Sequence, residues 1–131
     1  MKESVDTNIL LRAVIDMGDG QTVLARALLA SPDRVFVVDS LVFAEFVYVL
    51  TTYYGMTRAQ TGSMVQWVLD IESVECARDV IVSSVELFQT HPKLSFEDCM
   101  IAEQARFEGA IPLWTFDAKL AKQHPSARLL K

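Results

Sequence analysis

Four carboxylates spread along the chain, Asp6, Glu45, Asp98 and Asp117, are the residues whose types and settings are best suited to chemistry. Three of them also have a purely structural reading. Asp6, in Val5-Asp6-Thr7-Asn8, sits where a short first strand gives way to a helix, and an Asp there can cap the helix by accepting an unpaired backbone N–H. Asp98 lies in Ser95-Phe96-Glu97-Asp98, a capping-box pattern, and an acid in a first turn suits the helix dipole. Asp117 stands between a strand and a short helix, so capping accounts for it too. Glu45 is different. It is the one charge in Leu41-Val42-Phe43-Ala44-Glu45-Phe46-Val47-Tyr48-Val49-Leu50, in mid-helix, beyond the reach of any capping role. A helix apolar on every side is expected to be buried, and an unpaired ionised carboxylate is costly in such surroundings. The expectation is therefore a buried Glu45 held against a cation. The alternatives are that it reaches solvent at one edge of its helix or pairs with Arg12.

Clustered carboxylates repel one another unless a cation lies between them. An all-oxygen donor set favours Mg²⁺ or Mn²⁺ over zinc. The chemistry such a centre serves well is phosphodiester hydrolysis, in which the metal polarises the phosphate and activates a water while a carboxylate orients that water or takes its proton. Thr7, Asn8 and Thr115 flank the acids and could orient them or their waters; each is equally well an ordinary turn or cap residue. His91 and His124 are isolated, each is followed by Pro, and neither has metal-ligand spacing, so both are expected in surface loops.

The elements that must position the acids follow from periodicity and punctuation. Ser4-Val5 belongs to a first strand, and Asn8 to Ile15 has helical spacing. Asp16 to Gly20 reads as a turn, Gln21 to Ala30 as a helix stopped by Ser31-Pro32, and Arg34 to Val38 as a β-branched strand. Asp39 or Ser40 caps a long helix to about Tyr54, ended by Gly55, and Thr57 opens another to about Asp70. A strand near Val74 to Cys76, a helix from about Asp79 to Gln89, and a helix from Ser95 to Glu108 ended by Gly109 come next. Ile111 to Thr115 is a strand, Ala118 to Gln123 a short helix, and Arg128 to Leu130 an edge strand. Alternating strands and helices imply a parallel sheet covered by helices, with chemistry outside the carboxyl ends of the strands. Asp6 and Asp117 both follow strands, Asp98 begins a helix near the same edge, and Glu45 lies about one and a half turns into the helix after the second strand.

Composition bounds the rest. A chain of 131 residues, 51% hydrophobic and 22% charged, fits one globular domain spanning 1–131. No apolar run is long enough for a membrane span, and the N-terminus has no signal-peptide pattern, so a cytoplasmic location is expected. Cys76 and Cys99 are far apart and are expected to be thiols. The net charge of −5 argues against a general affinity for nucleic acid, although a carboxylate-held metal reverses the local field. The charge also suits a basic partner. Apolar residues in Leu10 to Ile15, Leu41 to Leu50 and Met64 to Leu69 exceed what a small core must hold, so some are expected at an interaction face, with core burial the expectation for any single one of them.

Val5-Asp6-Thr7-Asn8-Ile9-Leu10-Leu11-Arg12 resembles the opening motif of PIN domains. Glu45 in its apolar helix, Asp98 in Leu94-Ser95-Phe96-Glu97-Asp98-Cys99-Met100-Ile101-Ala102, and Thr115-Phe116-Asp117 resemble the remaining motifs, in order and across nearly the whole chain. In size the chain resembles VapC-type toxins of toxin–antitoxin pairs. The resemblance implies an α/β/α sandwich with a central parallel sheet and Mg²⁺- or Mn²⁺-dependent endoribonuclease activity. It also implies homodimerisation and inhibition by a VapB-type antitoxin. It assigns Asp6, Glu45, Asp98 and Asp117 as metal-coordinating acids and Thr115 as a supporting hydroxyl. Where the family has small residues before the third acid, this chain has Phe96-Glu97, and Glu97, an acid in a first turn, is expected to point outward.

Arg12, Lys119 and Lys122 are the phosphate-contact candidates for RNA, with a salt bridge or plain surface as their alternatives. Two other family readings remain, a stand-alone PIN nuclease in RNA processing and a non-catalytic PIN-like binding module. A haloacid-dehalogenase-like phosphatase wants a second Asp two residues after its nucleophile, and Asn8 holds that position. A receiver-like domain wants an early acidic pair, and only single acids occur.

Overall fold

A computed structural model describes residues 2–131. The chain divides into two compact units, the first ending at Arg78 and the second running Asp79–Lys131.

In the first unit the order is β1 (Lys2–Ser4), α1 (Thr7–Val14), α2 (Gln21–Leu29), β2 (Val35–Val37), α3 (Ser40–Thr52), α4 (Arg58–Leu69) and β3 (Val74–Glu75). The three strands form one parallel sheet in the order β1-β2-β3. Ser4 is paired with Val37, so the chain leaves β1 and β2 at the same edge of that sheet. The alternation of Phe36 and Val38, each 1% exposed, against Val35 shows which face of β2 meets the core. Leu10 and Ala13 of α1, Phe43, Phe46 and Leu50 of α3, and Val65 and Val68 of α4 fill the interior at helical spacing.

The termini of these helices are satisfied locally. Thr57 and Gln60 make a reciprocal capping box at α4. The C-terminal carbonyls of α1 are taken up by α2. Thr22 Oγ1 donates to the Arg12 carbonyl at 2.7 Å, and Arg26 Nε donates to that of Ala13 at 2.7 Å. These bonds fix the end of α1, and with it the height of the side chains that α1 presents.

The second unit holds α5, which begins at the boundary (Arg78–Thr90), then α6 (Phe96–Glu108), β4 (Leu113–Thr115), α7 (Ala118–Gln123) and β5 (Ala127–Leu129). β4 and β5 pair in parallel, with Trp114 opposite Arg128. Ser95 caps α6, and Gly109, at φ 69, ends it in the left-handed region that a side chain disfavours. Phe88 and Phe96 pack edge to face with ring centroids 5.6 Å apart. The strands and helices lie within a residue or two of their expected places, all pairings among the described residues are parallel, and Cys76 and Cys99 are thiols. Among the described residues no helix is long and apolar enough to cross a membrane.

Two expectations fail. His124 is not a surface loop residue: it is 2% exposed and its Nε2 lies 2.6 Å from Oε2 of Glu103, itself 3% exposed. Its Nδ1 accepts the Ser126 N–H, so Nε2 carries the proton and donates it to Glu103. Ser83 and Arg106 also donate to Glu103. Ser83 bonds to the carboxylate and not to the imidazole, so these residues form a structural brace rather than a hydrolytic triad. The sequence hides this brace because its members lie on α5, on α6 and after α7.

Glu45 is not buried either. On α3, Phe43, Phe46, Val47 and Leu50 face the core, while Leu41, Glu45 and Tyr48 form an exposed stripe, with Leu41 80% and Tyr48 54% exposed. Reading burial from residue type alone fails here because this helix places apolar side chains in solvent as well as in the core.

The Glu103 brace has a pH signature. Burial alone would raise the Glu103 carboxyl, but hydrogen bonds from Arg106, Ser83 and His124, with the Arg106 charge, hold it at about 2, below its ordinary 4.5. Its contribution to stability is complete above 4.5 and declines as pH falls toward about 2. Glu103→Gln is expected to lower the unfolding free energy by about 1.5–3 kcal/mol at neutral pH. In denaturant titrations the gap between variant and parent should narrow as the pH is taken below 4.5; a gap that stays constant would contradict the brace.

Candidate metal and phosphate site

Asp6 joins β1 to α1 as an exposed N-cap, its Oδ1 accepting the Ile9 N–H at 3.3 Å. Only one carboxylate oxygen is engaged, and Oδ2 has no partner among the described residues. Asp117 repeats the arrangement in the second unit. Its Oδ1 accepts from Lys119 N at 2.9 Å and Leu120 N at 3.3 Å, capping α7 and leaving Oδ2 unengaged. The Thr115 hydroxyl accepts the Asp117 N–H at 2.9 Å and so fixes the turn that aims this acid. The capping readings of Asp6 and Asp117 are therefore correct as far as one oxygen goes, and they leave the other available to a ligand.

Asp98 lies in the first turn of α6, half-buried. Its backbone N–H donates to Ser95 Oγ at 3.1 Å, but its carboxylate makes no return bond to the cap, so this is a half-formed capping box with an uncommitted acid. Glu97 is exposed. Glu45 is exposed and enters no hydrogen bond or ion pair among the described residues.

The first unit holds a groove of about 380 Å³ between α1 and α3. Asn8, Leu11 and Arg12 line it from α1, Glu45 and Val49 from α3, and Tyr53 from the C-cap of α3. Met17 and Tyr54, in contact through the Tyr54 hydroxyl and the Met17 sulfur, complete the lining. Thr7, buried at 6% exposure, belongs to the interior of α1, whereas Asn8 is exposed. Arg12 and Glu45 share the groove without an ion pair within 4.0 Å, so the expected alternative of a salt bridge between them is not what forms. Lys119 and Lys122 are exposed on α7, on the two turns after Asp117.

Within their own units, then, Asp6 caps α1 and Glu45 lies on α3, helices that border one groove lined by Glu45 but not by Asp6, while Asp98 lies in the first turn of α6 and Asp117 caps α7. Among the described residues no three or more His, Cys, Asp or Glu side chains are grouped as a metal site. The donor set does suit a hard cation. All four acids offer at least one uncommitted carboxylate oxygen, and such oxygens favour Mg²⁺ or Mn²⁺. What the sequence left unseen was the groove's far end. Met17, Tyr53 and Tyr54 come from a turn and a helix terminus, where no periodicity marks a lining residue.

No curated protein matches the chain. Among solved structures it is similar to a chain in the crystal structure of VapBC2 from Rickettsia felis bound to a DNA fragment from their promoter. The identity is 21%, the match covers 100% of each chain, and the TM-score is 0.41. The PIN domain family matches residues 4–124, a span that contains Asp6, Glu45, Asp98 and Asp117 and runs through both units. The chain belongs to the PIN domain family.

Proposed function

We propose that this protein is a Mg²⁺- or Mn²⁺-dependent endoribonuclease, the toxin of a type II toxin–antitoxin pair, with Asp6, Glu45, Asp98 and Asp117 as its metal-coordinating acids. The observation that supports the reading is the uncommitted oxygen on each of the four acids, which lie within the span matched by the PIN domain family. A metal held there supplies charge to a phosphate oxygen and a more acidic water.

The chain's own residues divide the work. The N-caps of α1 and α7 hold Asp6 and Asp117 in fixed rotamers, so their free oxygens cost little further entropy to position. Thr115 holds the Asp117 turn, and Asn8, on the groove wall, can hydrogen-bond a water or phosphate oxygen beside Glu45. Glu45, exposed and uncommitted, would orient the attacking water or take its proton. Arg12, Lys119 and Lys122 supply positive charge for RNA phosphates on a chain of net charge −5. A VapB-type antitoxin, a homodimer and a cytoplasmic location complete the proposal. They rest on the family resemblance and on the exposed apolar side chains Leu41 and Tyr48 of α3, and Val23 and Leu24 of α2, 72% and 71% exposed. The alternatives are a stand-alone PIN nuclease of RNA processing and a non-catalytic PIN-like module; the uncommitted acids favour an enzyme.

The test is cleavage of single-stranded RNA by the purified protein with Mg²⁺, Mn²⁺ or EDTA. Asp6→Asn, Glu45→Gln, Asp98→Asn and Asp117→Asn should each reduce the rate at least about 100-fold, the scale of losing one charge-stabilising group. Full activity of Asp98→Asn, or equal cleavage in EDTA, would reject the proposal.

The same variants separate chemistry from folding. Asn caps a helix about as well as Asp, whereas Ala costs about 0.5–2 kcal/mol. Asp6→Asn and Asp117→Asn should thus keep the parent's melting temperature, and Asp6→Ala and Asp117→Ala should lower it. Glu45→Gln, at an exposed site, should change the unfolding free energy by no more than about 0.5 kcal/mol. A large destabilisation there would mean that Glu45 is a structural charge after all.

A further inference from the structure

Of the four proposed acids, only Glu45 lines the α1–α3 groove. Asn8 and Arg12 stand four residues apart on α1, and Glu45 and Val49 on α3 and Tyr53 at its C-cap follow at four-residue steps, so each helix presents one stripe to the groove. Eight residues of helix separate Glu45 from Tyr53, about 12 Å along the axis. At that far end Tyr53 is 77% and Tyr54 41% exposed. The Tyr54 hydroxyl donates to Met17 Sδ at 3.7 Å, which steadies its ring beside the groove. Arg12, half-buried between the two ends, has its guanidinium engaged by no carboxylate.

We propose that this groove is a subsite for a single-stranded RNA nucleotide flanking the scissile phosphate, with Tyr53 and Tyr54 as the platform for its base and Arg12 as the contact to its phosphate. The inference rests on the ribonuclease reading above. Three features select this occupant. Aromatic faces stack any nucleobase, and exposed tyrosines offer such faces without rearrangement. A cation without a carboxylate partner, on a chain of net charge −5, complements a phosphate. Asn8 and Arg12 give the lining polar groups that can hydrogen-bond a nucleotide's sugar and phosphate, beside the apolar Leu11 and Val49. The distance from Glu45 places the recognised base beyond the nucleotide being cut, so the subsite would select sequence context at a flanking position.

The test uses the full-length Asp98→Asn protein, whose substitution lies outside the groove, and fluorescein-labelled single-stranded RNA octanucleotides of mixed sequence. Fluorescence anisotropy is read in EDTA at fixed salt. Tyr53→Ala and Tyr54→Ala should each weaken binding by about 5- to 150-fold, the range of losing one stacked base. Tyr53→Phe and Tyr54→Phe should restore it. Arg12→Ala should weaken binding and reduce the salt slope by about one. An abasic residue at one position of the RNA should cost as much as Tyr→Ala, and should abolish the difference between parent and variant.

Tyr→Ala variants that bind RNA as tightly as the parent, with unchanged melting temperatures, would overturn the subsite. So would variants that lose affinity for a helical antitoxin peptide while keeping it for RNA, which would make the groove a protein-docking site. If the wild-type chain cleaves RNA and the tyrosine variants behave as the parent, the subsite alone fails. If the wild-type chain neither binds nor cleaves RNA, the ribonuclease reading fails and the subsite fails with it.

Discussion

An aspartate that caps a helix with one oxygen keeps the other free, and the candidate site depends on that division. At the β1–α1 and β4–α7 junctions the backbone N–H groups of the new helix grip Oδ1 of Asp6 and of Asp117. The grip does two things at once. It satisfies donors that a helix start leaves unpaired, and it immobilises a carboxylate at the carboxyl end of a strand. Burial elsewhere serves the same junctions. Leu10 and Ala13 anchor α1, Thr22 and Arg26 close its far end, and Leu120 anchors α7. In the proposed ribonuclease the capping bonds are the means by which a folded backbone pre-positions metal ligands.

The strand–helix alternation was legible because it is written in local signals. Thr57 with Gln60, Ser95, Gly109 and the β-branched run at Val35–Val37 each mark a boundary within a few residues of themselves. Asp6 and Asp117 were legible for the same reason, since a cap and a strand end are both local. Glu45 was legible as an unusual residue but not as an exposed one. Solvent exposure of Leu41 and Tyr48 depends on which neighbours α3 meets, and no local pattern carries that information. His124 shows the reverse error. It resembles a loop residue before Pro125, yet its partner Glu103 lies 21 positions away, a separation at which sequence gives no pairing signal.

The exposure of Glu45 changes the physical argument for a metal rather than removing it. A buried unpaired carboxylate would have required a cation for stability. An exposed one requires none, so a metal at Glu45 would be held for function and would depend on the other acids for affinity. The contrast with Glu103 makes the point. That buried acid has every demand met by Arg106, Ser83 and His124 and offers nothing to a ligand. The acids assigned to catalysis are among those whose carboxylates the fold leaves incompletely satisfied, as it also leaves Asp39, and Arg12 is among the cations without a carboxylate partner.

The central claim of the proposal is that Asp6, Glu45, Asp98 and Asp117 are the metal-coordinating acids. The most direct measurement is paramagnetic broadening of the backbone amide NMR signals on titrating substoichiometric Mn²⁺ into the full-length protein. The account predicts that amides beside all four acids, those of Thr7, Phe46, Cys99 and Ala118, lose intensity together and recover together when excess Mg²⁺ is added. Broadening confined to the neighbourhood of one or two of the acids, or spread evenly over the acidic surface, would contradict it.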